Sequence, residues 1–122
     1  MDVKLFYDTI GGNYNEAIGR LMKDSLIEKF VRRFPKDQSF ESLKAAVAEN
    51  RVEDAFAASH TLKGVALNLA FAKLSGAAVA LTDALRPQNR AQLTPAQAER
   101  LLDEVEREYN AVLAAAAELA GT

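Results

Sequence analysis

The chain has 122 residues, a formal net charge of −2, one histidine and no cysteine, with 49% hydrophobic and 26% charged residues. That length closes one hydrophobic core and not two. The missing cysteines exclude a disulfide framework or thiolate metal site, and a lone histidine leaves almost nothing for a zinc or copper centre.

The slightly acidic balance argues against general nucleic-acid binding. The start, "MDVKLFYDTI", lacks the basic-then-apolar pattern of a signal peptide, and no apolar run reaches membrane-spanning length. The expectation is a soluble, cytoplasmic domain with no membrane partner. Alanine is abundant while Gly and Pro are sparse, which favours helix throughout. The charge is uneven: residues 20 to 36 carry Arg20, Lys23, Lys29, Arg32, Arg33 and Lys36 against Asp24 and Glu28, and residues 99 to 118 carry six acids against Arg100 and Arg107. Such runs are usually solvated helix faces; the sharper alternative is a basic surface that receives an acidic partner.

In chain order, residues 2 to 10 read as a short amphipathic helix with Leu5, Phe6 and Ile10 inward, closed by Gly11 in the left-handed conformation. Asn13 and Glu16 then form a capping-box pattern. The following series Ile18, Met22, Leu26, Phe30, Phe34 steps by four, with Ile27 and Val31 beside it, and predicts one helix ended by Pro35. Ser39 is the expected cap of a helix with Phe40, Leu43 and Val47 inward, and Asn50 the turn after it. A fourth helix starts near Arg51. A reversal is required near residues 70 to 73, followed by a fifth stripe of Leu74, Ala77, Ala78, Leu81 and Leu85. Pro87 ends that helix, "RPQNRAQL" is a loop, and Thr94, Pro95 and Gln97 signal a new start. The last helix places Ala98, Leu102, Val105, Tyr109, Val112, Ala116 and Leu119 at alternating steps of four and three, the seam of a left-handed bundle. The predicted architecture is all-α: an antiparallel four-helix bundle over residues 1–122 with additional short helices at one end, a monomer because the bundle can bury that seam internally.

The only histidine lies in "AASHTLKGVALNLA". A helix advances about 100° per residue, so with Leu62 at the centre of the inward face, Ala55, Ala58, Ser59, Val65, Ala66 and Leu69 lie within roughly 60° of it. His60 lies about 160° away, on the outward side. Phe56 precedes it by one turn, Lys63 and Gly64 follow by one, and Leu67 continues the same side. Gly64 costs the helix about 1 kcal/mol relative to alanine, and on the outward face close helix packing is a poor reason for it. An open nitrogen nucleophile, a clearance beside it and a cation suited to phosphoryl oxygens together fit a phosphohistidine. Phe56 and Leu67 suggest a docking patch, unless they tuck against neighbouring helices. Asn68 is a further docking or turn residue.

"HTLKG" on the outward face of a bundle helix resembles the histidine-containing phosphotransfer (HPt) domains of bacterial two-component phosphorelays. The likeness extends over "SFESLKAAVAENRVEDAFAASHTLKGVALNL" and "LTDALR", and helix pattern makes residues 13 to 118 compatible with the family's bundle. The resemblance implies that His60 accepts a phosphoryl group on Nε2 from an aspartyl phosphate of one receiver domain and passes it to the aspartate of a response regulator. Lys63 would steady the phosphoryl oxygens and Gly64 would admit the partner. It implies receiver domains of response regulators and hybrid histidine kinases as partners, no cofactor of its own, no autonomous kinase activity, and Mg²⁺ on the receiver. The absence of a Gly-rich nucleotide motif agrees. The family usually has a glycine after the "NL" pair, where this chain has Ala70.

Three other readings compete. The domain could be a non-phosphorylated adaptor that docks a receiver through Phe56 and Leu67. A small enzyme with His60 as general base lacks a second catalytic group at readable spacing. The dimerisation domain of a sensor kinase expects an acidic residue after the histidine, where Thr61 stands here.

Overall fold

The computed structural model describes residues 1–121 and is helical throughout, with no strand among them. The single-domain expectation ended at Thr122, which lies outside the described residues. Seven α-helices follow one another: α1 (Val3–Ile10), α2 (Tyr14–Leu21), α3 (Asp24–Arg33), α4 (Ser39–Ala48), α5 (Val52–Asn68), α6 (Ala72–Ala84) and α7 (Pro95–Gly121). Short 3₁₀ turns occupy Phe34–Lys36 and Pro87–Gln92.

Four helices form the bundle. α5 packs between α4 and α6, α6 packs on α7, and α7 closes the ring against α4. The seam of α7 faces inward as its spacing requires: Leu102, Val105, Tyr109, Val112, Ala116 and Leu119 are buried, with Ala98 half-buried at the rim. Each large apolar side chain removed from water this way contributes about 1.5–3 kcal/mol. At 27 residues α7 outruns its partners, and α1, α3 and the first 3₁₀ turn cover its remaining length. The helix start at Thr94 is a closed capping box, the Thr94 N–H donating to Gln97 Oε1 at 2.9 Å and the Gln97 N–H to Thr94 Oγ1 at 3.1 Å.

Several expectations need correction. The helix expected from Asn13 to Phe34 is two helices, broken where Met22 adopts φ +74° and Lys23 is extended. Met22 is 79% exposed rather than inward, and Leu26 and Phe30 are only half-buried; the buried stripe is Ile27, Val31 and Phe34. The break has a physical reason. It separates two tasks: α2 sends Arg20 to the carbonyls at the end of α5, while α3 packs its own apolar face on α7. In α1 the buried residues are Val3, Phe6, Tyr7 and Ile10, and Leu5 is half-exposed. Ser39 is the first residue of α4 rather than its cap; its N–H is taken by Asp37 Oδ1 at 2.8 Å.

The α5–α6 reversal falls at residues 69 to 71, at the early edge of the expected place, with Ala70 at φ +57°. That conformation costs a non-glycine residue about 1–2 kcal/mol. The corner offsets the cost with contacts from the N-terminal helices. Ala70 is itself buried, its carbonyl accepts from the Asn13 N–H at 2.9 Å, and the Tyr7 hydroxyl donates to the Leu69 carbonyl at 2.7 Å. Phe71, next along, sits among the rings of Phe6, Tyr7 and Phe34 at centroid distances of 5.3–6.0 Å. Burial pushes the Tyr7 phenol well above the ordinary tyrosine range.

Candidate functional site

α5 turns Ala55, Ser59, Leu62 and Ala66 into the core and leaves His60 exposed on the opposite side. Behind the histidine, the Ser59 and Thr82 hydroxyls pair at 2.6 Å, and Thr82 donates to the Ala78 carbonyl at 2.7 Å. This buried chain ties α5 to α6 and fixes which way the outward face points. Both hydroxyls are satisfied, so the pair carries no desolvation penalty of the kind an orphan would.

The His60 ring makes no hydrogen bond among the described residues; its one ring contact is Phe56, at 6.2 Å between centroids and 28° between planes. Neither nitrogen is committed to a partner among the described residues. Lys63, half-buried one turn on, has no carboxylate within ion-pairing distance among the described residues. A Cβ added at Gly64 would meet nothing within 4 Å. The same is true of Gly19, Gly76 and Gly121, so openness alone does not mark Gly64. What distinguishes it is its place, one turn from the only imidazole of the chain.

The weaker candidates separate. Leu67 is 43% exposed and continues the His60 side of the helix. Asn68 is exposed, and its carbonyl, with that of Leu67, accepts from the Arg20 guanidinium, which is also paired with Glu16. A cation at the C-terminal end of a helix satisfies carbonyls that have no partner within it. Phe56 is half-buried against the edge of the core. It also lies against two side chains that no helical periodicity places there, Arg86 and Arg90. They come from the "RPQNRAQL" stretch, and nothing in a loop's composition says which helix its side chains will meet. Of the two charge runs, the acidic one is partly spent inside the chain, Glu106 pairing with Lys44 at 2.9 Å and Glu104 with Arg107 at 3.2 Å.

No helix of the described residues is long and apolar enough to cross a membrane, and no group of three carboxylate, histidine or cysteine side chains among them could hold a metal ion.

The model of the Hpt domain matches residues 25–115. The chain belongs to the Hpt domain family. No curated protein and no solved structure matches it. As an Hpt domain it takes part in phosphotransfer in two-component signalling, where such domains interact with receiver or kinase domains and serve as intermediates rather than as kinases. All of α4, α5 and α6 lies inside the match, while α1 and α2 precede it.

Proposed function

We propose that His60 is the residue that carries the phosphoryl group, and that the domain relays it between the aspartates of two receiver domains. The carrying observation is the exposed, uncommitted imidazole of the chain's only histidine, with open space at Gly64 beside it. In the transfer, the Nε2 lone pair of a neutral ring attacks the phosphorus of an aspartyl phosphate in line. The P–O bond to the carboxylate breaks and the aspartate leaves with the electron pair, while the ring keeps its proton on Nδ1. The Lys63 ammonium, with no carboxylate in ion-pairing range among the described residues, is available to the phosphoryl oxygens as charge accumulates on them. A Mg²⁺ ion bound by the receiver, and not by this chain, would supply neutralisation of the remaining phosphoryl charge. The reverse sequence delivers the group to a second receiver. The domain works as a cytoplasmic monomer, a reading supported by the burial of the α7 seam within its own bundle.

The test is incubation with phosphorylated receiver domains, followed by assay for acid-labile, base-stable phosphate. The wild type becomes labelled on His60, and His60→Gln takes up none while melting at the same temperature within the scatter expected of a surface change. Stable receiver binding without label on the wild type would favour an adaptor instead, and label persisting on His60→Gln would refute the assignment.

A further inference from the structure

One turn before His60, Phe56 lies against two guanidinium groups, the Cζ atoms of Arg86 and Arg90 standing 5.9 and 5.7 Å from the centre of its ring. The loop that supplies them is pinned. Arg86 is extended ahead of Pro87, as a residue before proline prefers, and the 3₁₀ turn Pro87–Gln92 then brings the chain back. Asn89 Nδ2 donates to the Asp83 carbonyl and Arg90 Nε to the Leu85 carbonyl, both at 2.8 Å, so the turn caps the end of α6.

The two arginines differ in what balances them. Arg86 gives its Nε to Asp83 Oδ1 at 3.0 Å. Arg90 spends its Nε on a neutral carbonyl, and among the described residues its nearest carboxylate is that of Glu53, 3.9 Å from a terminal nitrogen and 89% exposed. Arg90 is therefore a cation held in place by an aromatic face and a backbone oxygen, with 26% of its side chain exposed and a single long ion pair, to Glu53, among the described residues. Little conformational freedom remains for it to lose on pairing.

We infer that Phe56 and Arg90 form a cation-faced rim that recognises the acidic surface of a receiver domain docking over His60, with Arg90 as a positioning residue for the transfer. The inference rests on His60 being the acceptor. Its occupant follows from chemistry: a receiver that presents a phosphorylated aspartate with Mg²⁺ must surround it with oxygen ligands, chiefly carboxylates. Lys63 follows His60 by one turn on α5, and Phe56, with the two guanidinium groups against its ring, precedes it by one.

The experiment compares two donors on the whole chain. One is the phosphorylated receiver that transfers fastest to the wild type among the organism's receiver domains; the other is phosphoramidate, which needs no docking surface. Arg90→Gln keeps a donor for the Leu85 carbonyl and removes the charge. It lowers the second-order transfer rate from the receiver roughly three- to ten-fold and flattens its dependence on salt, while labelling of His60 by phosphoramidate stays at the wild-type rate. Arg90→Lys recovers part of the receiver rate. An unchanged receiver rate in Arg90→Gln, or an equal loss with both donors, overturns the rim. If phosphoramidate labels His60 and no receiver does, the rim falls and the acceptor stands; if neither donor labels it, the acceptor assignment itself falls.

Discussion

The middle and the end of α5 are built on opposite plans. At the end, Tyr7, Asn13 and Arg20 reach across from the N-terminal helices to the carbonyls of residues 67 to 70, and the turn is packed among aromatic rings. In the middle, the His60 ring has no hydrogen-bond partner among the described residues and the space beside Gly64 is empty. Glycine shows the contrast most directly. A Cβ at Gly12, in the corner, would sit 2.6 Å from the Tyr7 ring and 3.0 Å from the Ala70 carbonyl, whereas one at Gly64 would touch nothing. In the corner glycine serves the fold. On the flank it weakens the helix for no internal gain. The hydrogen bonds to the corner come from Tyr7, Asn13 and Arg20, before the family match begins, while Phe34 and the open flank lie inside it.

That comparison can be broken at either region. The largest effect on stability is expected at Gly12→Ala, where the tyrosine ring and a backbone oxygen must both shift. A loss of about 1–3 kcal/mol in chemical denaturation is expected, as for other overpacked sites, with transfer kinetics of the folded fraction unchanged. An innocuous Gly12→Ala would mean the corner is looser than its contacts say.

Tyr7→Phe removes the hydroxyl that satisfies the Leu69 carbonyl and costs about 1–2 kcal/mol at neutral pH. It also carries a pH signature. Because burial raises the phenol's folded pKa above its unfolded value near 10, the Tyr7 contribution is fully present below about pH 10 and is lost as pH rises through and beyond it. The wild type therefore loses stability in alkali, and Tyr7→Phe loses less over the same range. Parallel alkaline profiles for the two proteins would contradict a buried, un-ionised Tyr7.

On the flank, Lys63→Ala leaves stability within about 0.5 kcal/mol of the wild type, since the half-buried ammonium has no carboxylate partner among the described residues to lose. It slows phosphotransfer or shortens the lifetime of the phosphorylated protein, and unchanged values for both would make Lys63 a bystander.

The middle of α5 was largely legible from sequence because helical periodicity alone separates Leu62 from His60. The closed box at Thr94 and Gln97 and the left-handed Gly11 and Asn50 were legible because each is a local event with its own residue chemistry. The break at Met22 was not, since no glycine or proline marks it and the apolar series runs on through it. It shows only in the packing, where α2 and α3 meet different partners, the end of α5 and α7. Arg86 and Arg90 were invisible for a related reason: their meeting with Phe56 depends on the path of a loop around the end of α6.

The measurement that bears most directly on the open flank is a paired determination of stability and transfer rate for Gly64→Ala and Gly64→Leu. With room for a side chain and the helical penalty of glycine removed, both variants should be as stable as the wild type or up to about 1 kcal/mol more so. Transfer from a phosphorylated receiver should nevertheless fall, and fall further for leucine. Destabilised variants would show that Gly64 serves the chain's own packing, and stable variants that transfer at the wild-type rate would show that no partner approaches His60 across it.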